Sequence, residues 1–138
     1  MKKMSMITIQ KSELVELEAS LKEKDKQIKE LQLDIGLLTG INHFNATLLL
    51  KALREGMTTS RDMVALVPIL PTDTERLKRQ SEMVAVIDAD IAVQQERLDL
   101  AIIKVKEFCR DNAEVVRILI ARFHIDLPAL AGGVLNGN

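Results

Sequence analysis

The sequence predicts an all-α chain. Three observations carry that expectation: a strict seven-residue repeat of aliphatic residues in the N-terminal part, a second such repeat in the C-terminal half, and a composition that is 47% hydrophobic but only 2% aromatic, with three Phe, no Trp and no Tyr. Aliphatic stripes at heptad spacing are what helices use to pack along one another. The 138 residues divide by pattern into a coiled-coil arm over residues 1–39, a helical bundle or hairpin over 40–127 and a flexible tail over 128–138.

The first repeat runs Ile7, Leu14, Leu21, Ile28, Ile35 and Leu49, with Leu17, Leu31 and Leu38 at the complementary offset. Leu14, Leu17, Leu21, Ile28, Leu31, Ile35 and Leu38 form the seam of a coiled coil and are the candidate oligomerisation residues. Ser12, followed by Glu13 and Glu16, has the chemistry of an N-cap whose first turn complements the helix dipole. It predicts the start of a long helix there, and residues 4–9 fit neither a helical nor a strand period. Lys24 stands on the seam, where its apolar stem can lie along an interface while the ammonium reaches water. The flanks weaken parallel self-pairing, because Glu13 and Glu18 would face each other with like charge and Gln27 with Gln32 adds no ion pair. An antiparallel pair, between copies or with another helix of the same chain, suits them at least as well.

After Leu38 the period changes. Asn42 and Asn45 take the old seam positions while Gly36 and Gly40 lie one turn apart, so a kink, a break or a close helix crossing is expected near residues 39–42. Beyond it, Ile41, Phe44, Leu48 and Leu53 offer a wide apolar face, the candidate partner-binding surface. Gly56 reads as a helix C-cap and Ser60 as an N-cap, which predicts a short connector helix over 61–67 ended by Pro68. Thr72, with Glu75 three residues later, forms a capping-box pattern that opens a second long helix returning antiparallel to the first.

That second helix carries Leu77, Val84, Ile91, Leu98 and Val105 at one heptad offset, with Ile87, Ala101 and Phe108 at the other. Gln80 and Gln94 make its seam partly polar, and a buried unpaired amide costs about 1–3 kcal/mol. The run Asp111, Asn112, Ala113, Glu114 repeats the capping pattern, so the long helix ends near Arg110 and a further helix carries Val115, Val116, Ile118, Leu119, Ile120 and Phe123, unless one helix runs through. Pro128, Gly132, Gly133 and Gly137 close the chain with a small-residue tail.

Nineteen basic residues against twenty acidic ones leave a formal charge of −1, so no net field draws the chain to nucleic acid or to an anionic membrane. The best footing for nucleic acid is the cluster Arg76, Lys78 and Arg79, but it is interleaved with acids and the chain lacks aromatic stacking platforms. One cysteine, Cys109, has no intramolecular disulfide partner and stands among apolar neighbours, as a buried thiol in a reducing compartment would. The apolar stretch after Met1 is too short for the hydrophobic region of a signal peptide, and residues 63–70 fall far below the roughly 20 a spanning helix needs. These features describe a cytoplasmic protein with no membrane association.

The chain offers little for catalysis. His43 and His124 are far apart in sequence and neither stands at ligand spacing from a Cys or a second His, so no metal is expected. Asp88 and Asp90, two apart on a helix, point roughly 200° away from each other and cannot share an ion or act as a paired acid and base. No phosphate-cradling loop or nucleophile motif is present. The sequence therefore predicts a non-enzyme with no cofactor and no small-molecule substrate. Its function would be association, as a dimer or higher homo-oligomer that adapts, inhibits or regulates another protein. A small dimeric nucleic-acid-binding regulator and a structural assembly scaffold are the alternatives.

Overall fold

A computed structural model describes residues 2–132, with side chains from residue 10 onward; Ile7 of the first repeat and residues 133–138 of the tail lie outside those described side chains. The chain is all-α. Helix α1 spans Lys2–Ala65 (64 residues), α2 Thr74–Asp111 (38 residues), α3 Ala113–Phe123 (11 residues) and α4 Leu127–Leu130 (4 residues). The fold falls into two units, one ending at Leu38 and the other beginning at Thr39.

In the second unit, the C-terminal part of α1 and the whole of α2 form an antiparallel hairpin. Its register is fixed by paired contacts: the His43 and Phe108 rings lie 5.3 Å apart, Arg54 Nη1 donates to Gln95 Oε1 at 2.8 Å, and Arg61 Nε donates to Asp88 Oδ1 at 2.8 Å. The side chain of Gln80 closes the loop end, donating to the carbonyls of Val64 (2.8 Å) and Val67 (2.9 Å). These carbonyls lie at and just beyond the C-terminus of α1, where the helical ladder runs out; the Val64 carbonyl also accepts from the Val67 amide at 3.3 Å.

The α2 side of the hairpin is the second heptad series: Val84, Ile87, Ile91 and Ala101 are half-buried, and Leu98, Val105 and Phe108 are buried. On α1 the facing row is Gly40, His43, Thr47, Leu50, Arg54, Met57, Arg61 and Val64, each buried or half-buried. Thr47 and Gln94 bring polar groups into the interface, and Gln94 Oε1 is buried without a hydrogen-bond partner among the described residues. The core thickens at the end away from the loop, where Leu119 of α3 and Leu127 of α4, both fully buried, join Leu98, Val105, Phe108, Val116 and Ala131.

Several boundaries differ from the sequence reading. α1 runs without interruption from Lys2 to Ala65, so Ser12 is an interior helical residue, Gly56 and Ser60 mark no turn, and of the connector helix expected over 61–67 residues 61–65 are the end of α1 while 66 and 67 lie in the turn after it. Gly56 is tolerated because a single glycine costs a helix only about 1 kcal/mol. At Gly40 the close helix crossing is what occurs: a Cβ there would stand 2.5 Å from Leu119 Cδ1 and 3.2 Å from the Phe108 ring. The cap of α2 is Asp73, whose side chain accepts from the Arg76 amide at 3.2 Å, one residue after the Thr72 expected to do it.

Asn112 separates α2 from α3, its amide and its side chain both donating to the Phe108 carbonyl. His124 ends α3 in a left-handed conformation with φ 56°. Asp126 then caps α4, accepting from the Ala129 amide at 3.0 Å, and Leu127, Pro128 and Ala131 are buried. Within the stretch expected as a flexible tail, Pro128 and Ala131 are thus buried, while Ala129 is exposed and Leu130 half-buried.

Candidate helix-pairing surface

In the N-terminal unit every described residue from 10 to 35 is exposed. The expected seam is thus laid out in solvent: Leu14, Leu17, Leu21, Ile28, Leu31, Ile35 and Leu38 are 51 to 62% exposed. Aliphatic side chains at this spacing on a helix form a narrow stripe, the shape that fits one other helix. Outside the stripe the helix is dense in charge, with Lys22, Lys26 and Lys29 alternating with Glu16, Glu23 and Glu30.

The same register continues past the arm. Counting on from Leu38 gives Asn42, Asn45, Leu49, Ala52, Gly56, Thr59 and Met63, and all of these are exposed, whereas the row that meets α2 starts two positions on, at Gly40. α1 therefore carries two heptad stripes, of which α2 takes one. The change of period at Leu38 is the point where the second stripe begins, while the first persists in polar and small residues interrupted by Leu49 and Met63.

α2 likewise has a second stripe that the sequence reading missed. Val86, Ala89, Val93, Leu100 and Ile103 recur at heptad spacing and are exposed, with Glu96 among them. The signal was present as a second offset of the same period, hidden by the stronger series that faces α1.

Of the expected partner-binding residues, Ile41 and Phe44 are half-buried and Leu48 and Leu53 are exposed. Ile41, Phe44 and Leu48 follow one row, but Leu53 stands five residues from Leu48, about 140° around the helix. They form no single face. The cluster Arg76, Lys78 and Arg79 is exposed at the start of α2, and two of its charges are shared with acids of the same segment, Arg76 with Asp73 at 3.3 Å and Arg79 with Glu75 at 3.3 Å.

Cys109 lies half-buried beside a groove of about 620 Å³ lined by residues of α2, α3 and Pro128. Burial pushes its thiol above the ordinary range, and the charge of Asp126 adds to the shift. A thiol held protonated is a poor nucleophile. Among the described residues no three His, Cys, Asp or Glu side chains converge as a metal site would need, and no helix is long and apolar enough to cross a membrane.

Fold and surface together define a class: an all-α helical hairpin with an exposed heptad seam on its long first helix. Comparison with family models, with curated proteins and with solved structures finds no match to this chain.

Proposed function

We propose that this chain is a non-enzymatic, oligomerising helical protein whose activity is association. The arm seam takes a helix of another molecule, in the first place another copy of the chain. The hairpin, through the row of Ile41, Phe44 and Leu48, contacts a protein that it adapts or regulates. A half-buried thiol with no disulfide partner fits a reducing, cytoplasmic setting.

One observation carries the reading: a strict heptad of leucines and isoleucines standing more than half exposed in water. Burying each such side chain contributes roughly 1 kcal/mol or more beyond its present exposure. Most helical stability in proteins comes from packing of an apolar face rather than from propensity, so a second helix stabilises the arm as well as binding it.

The test is light-scattering mass over a hundredfold concentration range, on the full chain and on Leu31→Asp. A stable oligomer that the substitution reduces to monomer is the expected result. A monomeric full chain at every concentration overturns the homo-oligomer. A large, polydisperse mass would favour the assembly scaffold, for which the second open stripe on α2 supplies a further contact.

A further inference from the structure

The seam's charges choose an orientation. Assigning Leu14, Leu21, Ile28 and Ile35 to a and Leu17, Lys24, Leu31 and Leu38 to d puts Glu13, Ser20, Gln27 and Asp34 at the g flank and Glu18, Asp25 and Gln32 at the e flank. In a parallel, in-register pair the two Lys24 would face each other inside the seam, and Glu13 would face Glu18 of the second copy on both sides. Each is a like-charge contact, and the lysine pair is desolvated as well.

Reversing one helix changes these meetings. In an antiparallel coil an a position meets a d position, and a run that starts at a and ends at d can overlap itself in full about its midpoint, here residue 26. Leu14 then meets Leu38, Leu21 meets Leu31, and Lys24 meets Ile28. The two Lys24 no longer share a layer but stand four residues, about 6 Å, apart along the axis, and each ammonium comes within a turn of Asp25 of the other copy, on the e side that both share. The two Asp25 carboxylates lie at the dyad between the two ammonium groups, which leaves a neutral group of four charges. Of the flank contacts, Glu18 with Gln32 and Ser20 with Asp34 bring no like charges together, and Asp25 with Asp25 is the one that does, offset by the two lysines. Just beyond the seam, Gln10 and Asn42 in the same register are both amides, so the apolar run is bounded by polar residues at either end.

We propose that the arms of two copies pair antiparallel about a twofold axis at residue 26, with Lys24 and Asp25 setting orientation and register. Such a contact is isologous and closes on itself, so it makes a dimer rather than a filament. The proposal rests on the association proposed above, and it names the occupant of that same seam.

The test uses the full chain with Cys109→Ser, a nitroxide label at Lys11→Cys or at Lys26→Cys, and pulsed dipolar distances. Both positions are exposed and off the seam's apolar row. At a rise of 1.5 Å per residue, antiparallel arms place the two Lys11 labels about 45 Å apart and the two Lys26 labels close together. Short distances at both positions mean a parallel pair, which overturns the orientation and leaves association standing. A dimeric mass with no coupling at Lys26 overturns arm pairing. A monomeric mass overturns both this inference and the function it rests on. In the antiparallel dimer Asp25→Lys should raise the dissociation constant at least tenfold, and Lys24→Asp in the same chain should recover most of that loss; no recovery would remove Lys24 and Asp25 as the pair that sets the register.

Discussion

Gly40 and Gly56 are the same residue in the same helix and have opposite consequences. At Gly40 a methyl group would meet the fully buried Leu119 and the ring of Phe108. Overpacking of this kind costs about 1–3 kcal/mol, against which the helix gains about 1 from losing a glycine. Gly40→Ala should therefore destabilise by up to about 2 kcal/mol. At Gly56 nothing stands within 4 Å of the added Cβ, so Gly56→Ala should stabilise by about 1 kcal/mol, a rise of roughly 4–8 °C for a domain of this size. Thermal unfolding of the two variants checks both signs. Cys109 supplies a second prediction at this scale. Because burial and Asp126 raise its pKa, the thiolate forms only above the ordinary thiol range. Maleimide labelling of the folded chain should be slow at pH 7 and climb with pH past the point where a free thiol has levelled off.

Elements in this fold are held by what meets their ends and one face. α4 is too short to be stable alone, since a helix of 4 residues barely repays its own nucleation. It exists because Asp126 caps it and Leu127 is fully buried on the hairpin. Leu127→Ala should cost about 2–5 kcal/mol and release α4, seen as a lower denaturation midpoint together with faster amide exchange in residues 127–131. The sequence put Leu127 at the end of the bundle and residues 128 onward in a flexible tail, because the small residues and proline there carry no helical period. The second heptad was legible for the opposite reason. Leu98, Val105 and Phe108 are buried where the period puts them, since a strict repeat leaves a helix only one stripe to offer at that offset. The interior of α1 misled because Gly56, Ser60 and Ser12 carry the chemistry of helix ends, yet the helix runs through all three unbroken, and near Gly56 and Ser60 the contacts of Arg54, Arg61 and Val64 with α2 hold it against the hairpin.

At the scale of the molecule, the two units answer to different forces. The hairpin buries its own core, whereas the arm holds its seam in water. Leu31→Asp should thus leave the thermal unfolding of the hairpin within about 0.5 kcal/mol of wild type, as surface substitutions do, while it removes the proposed oligomer and lowers the helicity of the arm. Loss of the hairpin's cooperative transition in this variant would mean that the arm supports the hairpin fold. The sequence by itself determined the helical class and the spacing of the two heptad series, because periodicity records which side chains share a face. It did not determine which stripe meets which. α1 presents two stripes in registers two positions apart and α2 presents two more, and tertiary structure alone decided that Gly40 to Val64 would face Gln80 to Phe108. Shape makes that choice: the glycine at position 40 lets α1 approach Phe108 and Leu119 closely, and that approach, unlike a period, is a property of two surfaces together.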